Sequence, residues 1–199
     1  FSSDNGPLYN QLGGTDSEFF NSHGGLRGRK GGFYEGGFRV PTLVRWPGRI
    51  APGTTTARVS GFEDWLPTLL EAAGATARTP RDIDGISLVP TLLGRPQEPR
   101  PFLYRESPGY GGQQTVRVGD WKAVRQNLRP RPAGKAGKAA PAPAPGPVKT
   151  ELYNLATDPT ESTDVAAKNP EVLARLEKIL HEQHVPSKEF PLPALDHGR

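Results

Sequence analysis

The chain has 199 residues, a formal net charge of +4, 34% hydrophobic residues, 24 glycines, 22 prolines and no cysteine. This composition predicts one or two small, loop-rich domains with a modest core. It excludes disulfides and thiolate metal sites, and no apolar run approaches the roughly 20 residues that a membrane-crossing helix requires. The mild positive charge favours anionic substrates or surfaces without identifying one.

Phe1-Ser2-Ser3 reads as the end of a strand, followed by Asp4-Asn5-Gly6-Pro7. Asp-Asn-Gly is a turn signal, because Asn and Gly tolerate positive φ and Asp bonds nearby backbone. The same dipeptide also offers a carboxylate and an amide oxygen, both hard ligands for calcium or magnesium. A carboxylate at the C-terminal end of a strand is where open α/β sheets place ligand-binding groups. Leu26 to Pro41 reads LRGRKGGFYEGGFRVP. Each glycine here costs conformational entropy on ordering, so the run implies a compensating ligand or packing requirement. Lys30 is an ammonium among glycines, suited to gripping a tetrahedral oxyanion. A flexible basic surface loop is the alternative reading. Glu35 and Arg39, four apart, are placed to pair on a helical turn or to brace the loop.

Phe38 to Trp46 is rich in β-branched and apolar residues and predicts a core strand interrupted near Pro41. Val59 to Gly74 predicts a helix with Trp65, Leu66, Leu69, Leu70 and Ala73 on one face, Asp64 early and Gly74 as the stop. Arg95 to Arg100 is rich in proline and charge and marks a boundary. The domains are therefore set at 1–97 and 98–199. Strands follow at 102–106, 114–118, 121–126 and 151–155, with Gly119-Asp120 as a hairpin turn. The segment 129–147, RPRPAGKAGKAAPAPAPGP, is low-complexity and reads as an extended spacer loop. Its Arg129, Arg131, Lys135 and Lys138 offer polyanion contacts or simply a solvated face. Pro170 to His181 predicts a second helix with Asn169 as N-cap, Pro170 at the first position and a stripe of Val172, Leu173, Leu176, Ile179 and Leu180.

The stretches SDNGP, LRGRKGGFYEGGFRVPTLVRWPGRI, RVGDWKAVR and ELYNLATDPTESTDVA together resemble the C-terminal half of sulfatases, the arylsulfatase-like branch of the alkaline phosphatase superfamily. The resemblance implies an α/β fold: the C-terminal part of an alkaline-phosphatase-like sulfatase domain, plus a small antiparallel sheet packed with a C-terminal helix. It implies that Asp4 and Asn5 are metal ligands, for calcium or magnesium, and that Lys30 contacts the substrate sulfate. His23 lies where the family varies and is placed facing the leaving group or simply in the loop. The implied chemistry is sulfate-ester hydrolysis by a formylglycine nucleophile, on a sulfated small molecule or polysaccharide. No specific nucleic acid or membrane partner is implied, and the full-length setting is periplasmic or extracellular.

The departures are as informative. No cysteine is present, no Ser-x-Pro-x-Arg stretch replaces the nucleophile motif, and Ser107-Pro108 lacks its spacing. The first Asp-Asp metal pair of the family is also missing. The chain contains no methionine and opens on an apolar Phe1. It therefore reads as a C-terminal segment or a partial reading frame, inactive alone. A related phosphodiesterase or phosphonate monoester hydrolase, and a non-catalytic polyanion-binding fragment, are the alternatives.

Overall fold

The computed structural model describes residues 1–9, 16–129 and 148–196. The chain divides into two units: Phe1 with Leu43–Leu103, and Ser2–Thr42 with Tyr104–Arg199. Residues 2–42 thus group with the C-terminal part of the chain, whereas the boundary signal at 95–100 places them in 1–97.

The second unit is built on a four-stranded sheet in the order β1 (Leu103–Ser107), β2 (Gln113–Val118), β3 (Trp121–Gln126), β4 (Thr150–Asn154). β2 and β3 run antiparallel with Val118 opposite Trp121, and Gly119 takes φ 57° in the two-residue turn between them. β3 pairs antiparallel with β4, Ala123 opposite Leu152. Val116, Ala123 and Leu152, opposite one another across the strands, are buried on one face, and Val124 and Tyr153 are buried on the other, where they cluster with Phe33 and Tyr34, so the sheet is covered on both faces. Helix α4 (Pro170–Gln183) lies on β2 and β3 and buries Leu176 and Leu180 of the predicted stripe. Asn169 does not cap it. Its side-chain amide donates instead to the Val165 carbonyl at 3.0 Å, and Pro170 fixes the first turn.

No strand forms over 38–46. Residues Glu35–Phe38 make a single helical turn, α1, and the extended residues after it find one isolated bridge, Ser2 to Thr42, plus reciprocal bonds between Phe1 and Leu43. Extended backbone becomes a ladder only beside a partner strand, and among the described residues the one bridge this segment forms is to Ser2.

In the first unit the predicted helix begins as a 3₁₀ turn at Phe62–Asp64 and continues as α2 (Trp65–Ala72), with Gly74 at φ 70° ending it. Its polar side is the buried one. Asp64 accepts from the Gly61 and Ile86 amides and pairs with Arg100. Thr68 donates to the Asp64 carbonyl at 2.5 Å and accepts from the Leu88 amide at 2.8 Å. Leu66 and Leu69, on the apolar face, are 49% and 62% exposed. The buried carboxylate and its donors, not the leucines, fix α2 against the DGISL loop and the short helix α3 (Val89–Leu92).

Candidate active site

Two backbone contacts join the opening motif to the glycine-rich segment. The Lys30 amide donates to the Pro7 carbonyl at 2.8 Å, and the Gly6 amide donates to the Gly37 carbonyl at 3.0 Å. The approach is close enough to demand glycine: a Cβ on Gly6 would lie 1.9 Å from the Gly36 carbonyl oxygen. Gly36 in turn has the Gly28 and Arg27 carbonyls at 2.4 and 2.6 Å from where its own Cβ would sit, and its amide donates to the Arg27 carbonyl at 2.7 Å. The glycines are therefore spent on packing backbone against backbone, which sets where residue 30 leaves the loop.

Asp4 is exposed, Asn5 half-buried and Lys30 exposed. Among the described residues, neither the Asp4 carboxylate nor the Lys30 ammonium has a hydrogen-bond or ion-pair partner. Asp4 and Asn5 fit a hard divalent cation in donor chemistry, as oxygen ligands left uncommitted by the fold. Calcium takes about 6–8 oxygens, and no group of three or more His, Cys, Asp or Glu side chains is placed to hold a metal among the described residues. His23 is mostly buried, with Nε2 3.6 Å from Glu18 Oε2, and its Nδ1 has no partner among the described residues. Glu18 also pairs with Arg29, whose guanidinium donates to the Gly28 carbonyl at 2.7 Å.

What holds this loop in place is a buried charge cluster that reading by motif alone missed. Lys122 of β3, 2% exposed, brings its ammonium to 2.9 Å from both Glu35 Oε1 and Glu161 Oε1. The Glu35 contact is a hydrogen bond. The Glu161 contact is an ion pair whose angles fall short of one. The other oxygen of Glu161 accepts from the Glu35 amide at 2.6 Å, and Arg117 stands 3.6 Å from Glu35 Oε2. Glu35 thus pairs with Lys122 and not with Arg39, whose amide merely closes the α1 turn on the Glu35 carbonyl. Beside this cluster, Arg27 stacks 3.8 Å from the Tyr34 ring centroid and donates to Tyr153 Oη and the Glu161 carbonyl, both at 2.8 Å. Tyr34 and Tyr153 both donate to Glu151 Oε2. Burial, reinforced by that carboxylate, pushes both phenols well above their ordinary range, so they remain donors. Finally, the Gln113 amide clasps the loop from β2, donating to the Gly31 carbonyl at 2.7 Å and accepting from the Phe33 amide at 3.2 Å.

Three of the sequence stretches singled out above, YEGG, GDWK and DPTE, therefore meet at one cluster. Residues 28–126 match the family model described as N-sulphoglucosamine sulphohydrolase, C-terminal. The chain belongs to the sulfatase family. It is similar to mouse steryl-sulfatase (34% identity over 193 residues, 90% of this chain and 30% of that protein). It is also similar to human arylsulfatase A (37% over 197 residues, 90% and 36%). The chain spans about a third of the length of these curated sulfatases. Among solved structures it resembles one from work on the metabolism of multiple glycosaminoglycans by Bacteroides thetaiotaomicron (28% identity, TM-score 0.65, 92% of this chain and 37% of that one). It also resembles the phosphonate monoester hydrolase of Agrobacterium radiobacter (26%, TM-score 0.53, 78% and 32%). The fold is accordingly the C-terminal part of an alkaline-phosphatase-like α/β sulfatase domain with its small antiparallel sheet. No helix of the described residues is long and apolar enough to cross a membrane.

Of the basic residues in the low-complexity segment, Arg131, Lys135 and Lys138 lie outside the described residues. Arg129 is engaged with the 108–112 loop, its guanidinium 3.5 Å from the Pro108 carbonyl.

Proposed function

We propose that this chain is the C-terminal segment of a sulfatase acting on aryl or carbohydrate sulfate esters, in which Lys30 grips the sulfate and Asp4 and Asn5 contribute to a calcium or magnesium site. The observation that supports the reading is the 2.8 Å bond from the Lys30 amide to the Pro7 carbonyl. It brings an uncommitted ammonium and an uncommitted carboxylate onto one stretch of joined backbone. Asp4 and Asn5 would supply two of the cation's oxygens, and the cation, when bound, would polarise the sulfate oxygens. Lys30 places a positive charge where negative charge grows on the transferred group as the ester bond breaks. His23, on the same loop, is assigned to the organic side of the ester. The formylglycine nucleophile comes from outside this chain, which is inactive on its own, and the complete enzyme works in the periplasm or outside the cell.

The test is Lys30→Ala in the protein that carries this segment together with its nucleophile. We expect kcat/KM for 4-nitrophenyl sulfate to fall about 100-fold, on the scale of losing one charge-stabilising donor, with the melting temperature unchanged. An unaltered rate removes Lys30 from the site. The likeness to a phosphonate monoester hydrolase supports a second reading with the same anion grip. A higher kcat/KM for 4-nitrophenyl phenylphosphonate, a phosphonate monoester, than for 4-nitrophenyl sulfate would decide for it.

A further inference from the structure

The residue that covers Gly31 comes from far along the chain. Tyr110 lies in the loop 108–112 between β1 and β2, and a Cβ on Gly31 would stand 2.1 Å from its Cζ and 2.5 Å from its Oη. The hydroxyl end of the ring therefore abuts the backbone immediately after Lys30. The loop is fastened on both sides. The Gly112 amide donates to the Gly109 carbonyl at 2.9 Å, the Leu128 amide to the Gly112 carbonyl at 3.1 Å, and the Arg129 amide to the Gly111 carbonyl at 2.8 Å. Gln113, the next residue, holds Gly31 and Phe33 directly.

Tyr110 occupies φ 53°, ψ 35°, the left-handed region, where an aromatic side chain is sterically disfavoured. Its neighbours Gly109, Gly111 and Gly112 carry no such penalty. The ring is 67% exposed, and among the described residues it joins no aromatic pair and its hydroxyl makes no hydrogen bond. Strained non-glycine residues on otherwise well-fastened loops concentrate at binding sites. Here the strain holds an exposed aromatic ring against Gly31, the residue that follows Lys30.

We propose that Tyr110 is a stacking platform for the six-membered ring, pyranose or arene, of the ester whose sulfate Lys30 holds; this rests on the reading of Lys30 given above. An aromatic face presents negative quadrupole density to the C–H edges of a sugar or an arene. Such a contact discriminates between ring-bearing esters and esters without a ring, and leaves the grip on the sulfate itself unaltered.

The test is an NMR titration of the protein that carries this segment, its nucleophile replaced by alanine so that no ester is consumed, with methyl sulfate, 4-nitrophenyl sulfate and glucosamine 6-sulfate. It compares the parent with Lys30→Ala, Tyr110→Asn and Tyr110→Phe. The expected result is that at least one ring ester binds about fivefold tighter than methyl sulfate, the scale of one aromatic contact. Whichever ring ester shows the preference names the ring class. Tyr110→Phe keeps the preference. Tyr110→Asn abolishes it while leaving methyl sulfate affinity and the melting temperature intact, since Asn tolerates the left-handed region. If Tyr110→Asn retains the preference, or no ring ester exceeds methyl sulfate, the platform is refuted with the Lys30 reading untouched. If Lys30→Ala binds methyl sulfate as well as the parent, or no ester binds at all, the Lys30 reading fails and the platform falls with it.

Discussion

Lys122 Nζ lies 2.9 Å from Glu35 Oε1 across 87 residues of sequence, inside a cluster that also contains the fully buried Glu161. A cation buried between two carboxylates gains Coulomb energy only by losing hydration, so such a cluster is weak evidence for stability as a whole. Breaking it is a different matter, because whatever remains is a buried charge without its counter-ion. Lys122→Met should therefore destabilise the second unit by about 3–5 kcal/mol, read as a lower midpoint in urea with an unchanged slope. A loss below about 1 kcal/mol would mean that water reaches the cluster and the carboxylates are not buried as charges.

Gly36→Ala offers a test with a sign reversal. Gly36 lies within the helical turn α1 and is absent from the positive-φ positions, so replacing it by Ala would ordinarily stabilise by about 0.4–1 kcal/mol through the unfolded chain. Here the new Cβ would meet the Gly28, Arg27 and Leu26 carbonyl oxygens at 2.4, 2.6 and 3.0 Å. These are backbone atoms of the segment leading to Lys30 and cannot rotate away. Overpacking of this kind costs about 1–3 kcal/mol, so the melting temperature should fall. A rise would show that the 26–28 and 35–37 backbones are not held in contact.

Gln113→Leu tests the clasp on the loop. The substitution is close in volume but leaves the Gly31 carbonyl and the Phe33 amide, both now bonded by the side-chain amide, without partners. An unsatisfied buried polar group costs about 1–3 kcal/mol. We expect loss of stability together with faster amide hydrogen exchange at Phe33, and unchanged exchange would show that the clasp is dispensable. Gln113→Glu should cost at least as much at neutral pH, since it buries a carboxylate and turns an acceptor oxygen onto the Gly31 carbonyl, although it keeps an acceptor for Phe33.

The sheet, its hairpin and helix α4 were legible because their signals are local: short runs at 114–118 and 121–126 on either side of Gly119-Asp120, and Pro170 ahead of a 3.6-period stripe. The strand over 38–46 was not, because β-branched residues report a preference for extended backbone and not the presence of a neighbour to pair with. On α2 the apolar spacing pointed to the leucines, whereas the buried side is Asp64 and Thr68. Periodicity cannot see a carboxylate whose donors, Ile86 and Arg100, sit 22 and 36 residues away. In the candidate site the glycines announced a ligand or packing requirement, which the structure meets by backbone contact. The partner of Glu35 was lost to the same blindness, since Arg39 is near in sequence and Lys122 is near only in space. Tyr110 carried no signal except its place among glycines.

Acid and base should act on this chain through two neighbours with opposite sign. At Asp158 burial acts upward, but donors from the Ser162 and Thr163 amides and the Thr160 and Ser162 hydroxyls outweigh it and hold the carboxyl below its ordinary 3.8. Its folded form thus binds a proton less readily than its unfolded form. The stability it contributes is fully present above that value and is lost as pH falls through the folded pKa. At Glu161 burial dominates and raises the carboxyl above its ordinary 4.5, despite the Lys122 ammonium beside it. The folded state there holds its proton longer than the unfolded one, so the contribution is present below 4.5 and is lost as pH rises through the folded value. Urea midpoints measured from pH 3 to 7 should accordingly show Asp158→Asn converging on the parent only at the acid end. Glu161→Gln should gain on the parent as pH rises above 4.5. Parallel curves for Glu161→Gln would mean that Lys122 fully offsets burial and leaves this carboxyl at its ordinary value in the folded state.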